Sequence, residues 1–206
     1  KFKQDKEEMS EREIKETIDH FVEMYRFDLK RNYKAYATYY KHNQHSEIII
    51  DFLRRVKIPA NVRLIKTTTR TCLSPNMAGC ISLNTENPIL FASKEFKRIR
   101  FEIKIDKSEY ESYETFILTL IHELSHLVLY STLNKHRDSE IATDLFVMTS
   151  GLYEEKLIDK RIKIDSPGYI TSKQVDFAYR YIKTKRNFTE SKGFIKEFYR
   201  IKLWLI

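Results

Sequence analysis

The chain has 206 residues, 42% of them hydrophobic and 32% charged, which suits one domain with a real core and excludes a disordered or fibrous polypeptide. Every apolar run is interrupted by charge well short of a membrane span, and no repeat or low-complexity tract is present. The net charge of +8 is unevenly placed: twelve basic and six acidic residues from Asp51 to Tyr110, four and nine from Glu111 to Lys160, eleven and four from Arg161 to Ile206.

The opening residues Lys1-Phe2-Lys3-Gln4-Asp5 have no signal-peptide character and no initiator Met, so they read as the start of a processed product or an excised piece. From Lys1 to Ile58 there is neither Gly nor Pro. Ile14, Ile18, Phe21, Val22, Tyr25, Leu29, Tyr33, Tyr36 and Tyr40 recur at helical spacing, which predicts one long amphipathic helix. Its Tyr-rich half reads as a packed face in preference to a nucleic-acid stacking platform. His42 and His45 follow in a polar break expected to be a solvated loop, and a shorter helix is expected from Ser46 to Val56, before Pro59.

Residues 59–107 carry the strand signals. Val62 and Leu64 with Thr67-Thr68-Thr69 suggest one strand, Cys80 to Leu83 a second, and Arg98 to Asp106 a third in which Ile99, Phe101, Ile103 and Ile105 alternate with charged neighbours. The stretch Ser74 to Gly79 is expected to be a surface turn. Cys72 and Cys80 can close a small disulfide loop or remain thiols, and a cytoplasmic location is the expectation.

Ser108 with Glu111 looks like a capping box for a helix running without Gly or Pro from Thr115 to Leu133. Within it stands His122-Glu123-Leu124-Ser125-His126. Residues four apart share a helix face, so His122 and His126 can aim both imidazoles at one cation, with Glu123 beside them as a proton acceptor. Phe116, Leu120, Leu124, Leu127 and Val128 supply a dry wall. Asn134 to Asp138 reads as a turn, and Ser139 can cap a second helix beginning Glu140-Ile141-Ala142-Thr143-Asp144, broken or bent at Gly151. Glu140 and Asp144 are again one turn apart, so one carboxylate can reach the metal while the other bonds a ligand histidine. Catalytic zinc takes three protein ligands, and Glu140 is preferred to His136 or Asp138 as the third because Asp138 falls in the turn.

Over residues from about Phe116 to Gly151 the chain resembles the gluzincin metallopeptidases, the thermolysin-like clan, with H-E-x-x-H on one helix and E-x-x-x-D on the next. The short gap from His126 to Glu140 is more similar to the compact members of that clan. The metzincin pattern fits poorly, because the positions of its Gly and third His hold Leu129 and Thr132. The resemblance implies His122, His126 and Glu140 as zinc ligands, Glu123 as general base and acid, Asp144 as partner of His122, and a peptide or protein substrate.

Beyond this hairpin, Ser166-Pro167-Gly168 reads as a turn and Thr171 or Ser172 as the cap of a helix to about Lys185. A last amphipathic stretch from Glu190 to Trp204, using Phe194, Phe198, Ile201 and Leu205, is expected to pack on the core, a partner or membrane surface being the alternative. Tyr153, Tyr169, Tyr179 and Arg180 are candidate donors to an oxyanion.

The sequence thus predicts a single α+β, zincin-like domain: helices over 1–58, a small mixed sheet over 59–107, a metal-binding helical hairpin over 108–157 and helices over 158–206. The expected function is zinc-dependent peptide hydrolysis. The alternative is a zinc-containing binding or regulatory protein whose basic surface engages nucleic acid or a protein.

Overall fold

In a computed structural model, the described residues are 9–24, 32–67, 79–83, 100–132, 136, 139–150 and 170–206. They form an α+β structure, mostly helical, with a three-stranded sheet. The chain divides into two compact units, one of Lys1–Arg26, Ser139–Thr149 and Ile162–Ile206, the other of Phe27–Asp138 and Ser150–Arg161.

The first unit holds α1 (Glu11–Met24), α5 (Glu140–Thr149), α6 (Ser172–Glu190) and α7 (Gly193–Leu205). Helix α1 starts at a reciprocal cap in which Ser10 N donates to Glu13 Oε2 (3.0 Å) and Glu13 N to Ser10 Oγ (3.3 Å). It buries Ile14, Thr17, Ile18 and Phe21, and Phe21 meets Phe146 of α5 edge to face at 5.1 Å. From Ile141 to Thr149 every residue of α5 is buried, most of them apolar. The Oγ of Ser139 accepts from Ala142 N (3.1 Å), so the expected cap of this helix is present. Helix α6 is capped by Thr171 in a capping box with Gln174 and is tied to α1 by Tyr181 Oη and Lys185 Nζ, both on Asp19. It runs to Glu190, five residues past the expected end, because the sequence offers no breaker after Lys185.

The second unit holds α2 (Tyr33–Lys41), α3 (His45–Arg55), β1 (Asn61–Thr67), β2 (Gly79–Leu83), β3 (Arg100–Asp106), a 3-10 turn (Lys107–Glu111) and α4 (Tyr113–Thr132). The strand order is β1-β3-β2, with β1 parallel and β2 antiparallel to the central β3. Phe101, Ile103 and Ile105 of β3 are fully buried, as their alternation predicts. Tyr36 is fully buried and donates to Asp51 (2.8 Å), which also pairs with Arg54 and Arg55. The Tyr-rich stretch is therefore a packed face at this position.

Four expectations need correction. The single long helix is instead α1 and α2, which belong to different units. A period of 3.6 reveals an apolar stripe without saying how many cores it faces. His45 is not in a solvated loop: it opens α3, its ring 4.7 Å from Phe116 and 5.4 Å from Tyr110, after Asn43 turns the chain with a positive φ of 55°. Ser108 does not cap α4. It belongs to the 3-10 turn capped by Asp106, whereas Ser112 Oγ accepts from Thr115 N in α4. The fourth is α7, which does not bury its apolar face: Phe194 is 88% exposed, Trp204 84% and Leu205 71%.

Cys72, Thr68, Thr69, Arg98, Ile99, the Ser74 to Ala78 part of the expected turn, Leu133, Asn134, Lys135, Arg137, Asp138, Gly151, Tyr153, Ser166 to Gly168 and Tyr169 lie outside the described residues, as do Tyr25 and Leu29. Cys80 is disulfide-bonded. None of the described helices is long and apolar enough to cross a membrane.

Candidate metal centre

Helix α4 carries a long run of apolar residues, and from Phe116 to Leu129 only His122 and His126 are not buried. Two polar rings thus open at one place on a stretch, Phe116 to Leu129, otherwise shut away from water. Phe116, Leu120, Leu124, Leu127 and Val128, the wall expected from the sequence, are each at most 1% exposed. The His122 and His126 rings lie 5.2 Å apart by centroid and nearly perpendicular, at 87°. This is the one-turn neighbour geometry that their spacing dictates.

One ligand atom each of His122, His126 and Glu140 lies within 4.8 Å of the other two, and all three residues are half-buried. Donor atoms of a tetrahedral zinc site stand roughly 3.3 Å apart when the bonds are about 2.0–2.1 Å, so the set closes on an ion with side-chain movement of about an ångström. Two neutral imidazoles and one carboxylate are the donor chemistry zinc takes when it acts as a catalyst. The residues present fit such an ion. Of the rival ligands, Asp138 lies outside the described residues, and His136, in a turn, joins no group of three metal-capable side chains among those described. The same holds for His42 and His45.

Glu123 and Asp144 are both buried, at 6% and 4% exposure. Glu123 is flanked by a feature that the sequence reading passed over. Gly79, first residue of β2, comes so close to α4 that an added Cβ would lie 2.8 Å from Thr119 Cγ2, 3.2 Å from Glu123 Oε1 and 3.3 Å from Glu123 Cγ. Thr119 is itself fixed, its Oγ1 2.8 Å from Glu109 Oε2 and 2.9 Å from the Thr115 carbonyl. A glycine inside a strand pattern is the sequence signal for such a close approach, and it went unread because Gly79 stood at the end of an expected turn. Edge strand β2 therefore runs directly beside the carboxylate.

Of the candidate oxyanion donors, Tyr179 and Arg180 lie on α6, where Arg180 Nε donates to the Asp176 carbonyl (3.4 Å). A groove of about 590 Å³ opens elsewhere in the second unit, between β1 and the start of α3. Lys66 stands there 4.6 Å from the Tyr110 ring centroid, and burial pushes the Tyr110 hydroxyl up to about 12. Burial, and then Lys66, lower the His45 pKa. Comparison with known protein families, with curated proteins and with solved structures found no match.

Proposed function

We propose that the chain is a zinc-dependent metallopeptidase of compact gluzincin type, with a zincin-like arrangement of sheet and metal helix. The observation that carries this reading is the approach of the His122, His126 and Glu140 ligand atoms to within 4.8 Å, with a buried carboxylate between the two histidines in sequence. His122, His126 and Glu140 would hold a zinc ion, which would supply a Lewis acid for the substrate carbonyl and would lower the pKa of a water molecule. Glu123 takes the proton of the attacking water and delivers it to the leaving amine. The apolar wall of α4 keeps bulk water from the reacting groups, which strengthens each electrostatic interaction among them. Asp144 acts on His122, fixing its tautomer and orientation. The antiparallel edge strand β2, beside Glu123, supports an extended peptide as substrate, since an edge offers a row of backbone donors and acceptors.

The test is elemental analysis of protein purified without added metal, together with hydrolysis of a labelled unstructured protein such as casein. One zinc per chain is expected, lost or much weakened in Glu140→Ala and in His126→Ala. Glu123→Gln is expected to keep the zinc and lose hydrolysis. A wild-type chain that stays metal-free after incubation with zinc would overturn the site, and an active Glu123→Gln protein would overturn the assignment of the base.

A further inference from the structure

Among the described residues eight large hydrophobic side chains are exposed, and six of them, Phe194, Ile195, Phe198, Ile201, Trp204 and Leu205, sit on α7. Four fall on one stripe, because Phe194, Phe198, Ile201 and Leu205 are spaced four, three and four residues apart. The opposite side of the helix rests on α6, with Tyr199 and Leu203 half-buried and Lys196 Nζ 5.1 Å from the Phe188 ring centroid. Among the described residues, the stripe is therefore turned away from α6, the helix on which α7 rests. A patch of this size on one short helix marks a surface that meets an apolar phase or partner.

Charge decides between the occupants. Residues 192–206 carry Lys192, Lys196, Arg200 and Lys202 against Glu197 alone, and Glu197 is paired with Arg200 at 2.7 Å. A second copy docked stripe to stripe would bring two like-charged helices together. An anionic lipid surface meets both features at once, since acyl chains take up the stripe while long Lys and Arg side chains reach the headgroups. At thirteen residues the helix is roughly 20 Å long, too short to cross about 30 Å of hydrocarbon. It is suited to lie in the interface.

We infer that α7 is an interfacial helix that seats its Phe194, Phe198, Ile201, Leu205 face on anionic lipid membranes. This owes nothing to the metal centre, and the two stand or fall separately. Trp204 is the only tryptophan of the chain, so its fluorescence reports on α7 alone. The full chain is titrated with vesicles of phosphatidylcholine and phosphatidylserine, and in parallel with phosphatidylcholine alone.

The mixed vesicles are expected to shift the emission to the blue, and partition into pure phosphatidylcholine is expected to be roughly a hundredfold weaker for three net positive charges. High salt should weaken the first titration and leave the second unchanged. The double variant Phe194→Ser/Phe198→Ser should lose the shift while keeping the wild-type melting temperature, because both rings are exposed. No blue shift with the mixed vesicles would overturn the inference. So would a shift that survives unchanged in the double variant, or one that appears on concentrating lipid-free protein together with dimer formation in sedimentation, which would assign the face to a second copy.

Discussion

Replacing Gly79 by Ala tests whether β2 and the carboxylate of α4 are as closely fitted as the structure has them. The new methyl group would stand 2.8 Å from Thr119 Cγ2 and 3.2 Å from Glu123 Oε1, whereas carbon atoms pack best at about 3.5–4.0 Å. Rotating Thr119 away would break its contacts to Glu109 and the Thr115 carbonyl, so the strand or the helix has to move by about 0.7 Å instead. Overpacking of this kind costs about 1–3 kcal/mol, and the loss of glycine's freedom in the unfolded chain returns about 0.4–1 kcal/mol. The net destabilisation is about 1.5 kcal/mol, a fall in Tm of about 4 °C for a chain of this length.

A displacement approaching an ångström at a reacting group costs up to roughly a hundredfold in rate, so hydrolysis should fall tens-fold with zinc content unchanged. Thermal unfolding followed by circular dichroism, metal analysis and casein hydrolysis are the assays. Gly193→Ala is the control, since nothing lies within 4 Å of the added Cβ and only its positive φ of 58° brings strain. A Gly79→Ala protein with wild-type Tm and wild-type hydrolysis would refute the close fit.

Two further predictions concern the framework. Burial acts to raise the Asp51 pKa, but hydrogen bonds from Arg55, Tyr36 and Arg54 overcome it and hold the carboxyl at about 2. The stability this gives is present above the unfolded value near 4 and is lost as pH falls toward 2; in urea melts Asp51→Asn should be about 2 kcal/mol less stable than wild type at pH 7, with a gap that narrows below pH 4, and a gap that stays constant with pH would contradict the pairing. Ser139→Ala removes the acceptor that holds Ala142 N and should cost about 1 kcal/mol. Because Glu140 is the next residue, zinc competition against a chromogenic chelator should show a several-fold weaker site, and unaltered zinc affinity would separate the cap from the ligand.

The parts of the fold legible in the sequence are those fixed by local chemistry. His122 and His126 come together because one helical turn separates them, and Ser139 caps α5 because a hydroxyl before a helix finds a free N–H wherever the rest of the chain goes. Strand β3 was readable from strict alternation, and the wall of α4 from a run without Gly or Pro. Where nearby hydroxyl and carboxylate groups compete for a terminus, spacing alone chose wrongly: Asp106 caps the 3-10 turn to which Ser108 belongs, and Ser112, not Ser108, caps the start of α4. The approach of Gly79 to Glu123 joins a strand and a helix far apart in the chain; a glycine within the β2 pattern signals a close approach, but no local pattern says which residue it approaches.

Helices α5 and α7 show why amphipathicity is an incomplete guide to burial. The shorter, α5, is predominantly apolar and buried at every position from Ile141 to Thr149, the polar Thr143 and Asp144 included. In α7 an apolar stripe faces a charged one, a pattern equally compatible with a protein core, a second subunit or a lipid surface. What distinguishes these is the company of the charges: four cations around an uncovered stripe of Phe, Ile and Leu disfavour a core and a self-associated pair alike. Helix α4 obeys the same logic in reverse. Its two half-open histidines interrupt an otherwise buried surface, and polar rings held at such an opening are retained at the cost of burial that Leu or Phe would have contributed. That cost is explained when the two rings, with Glu140, take up a cation.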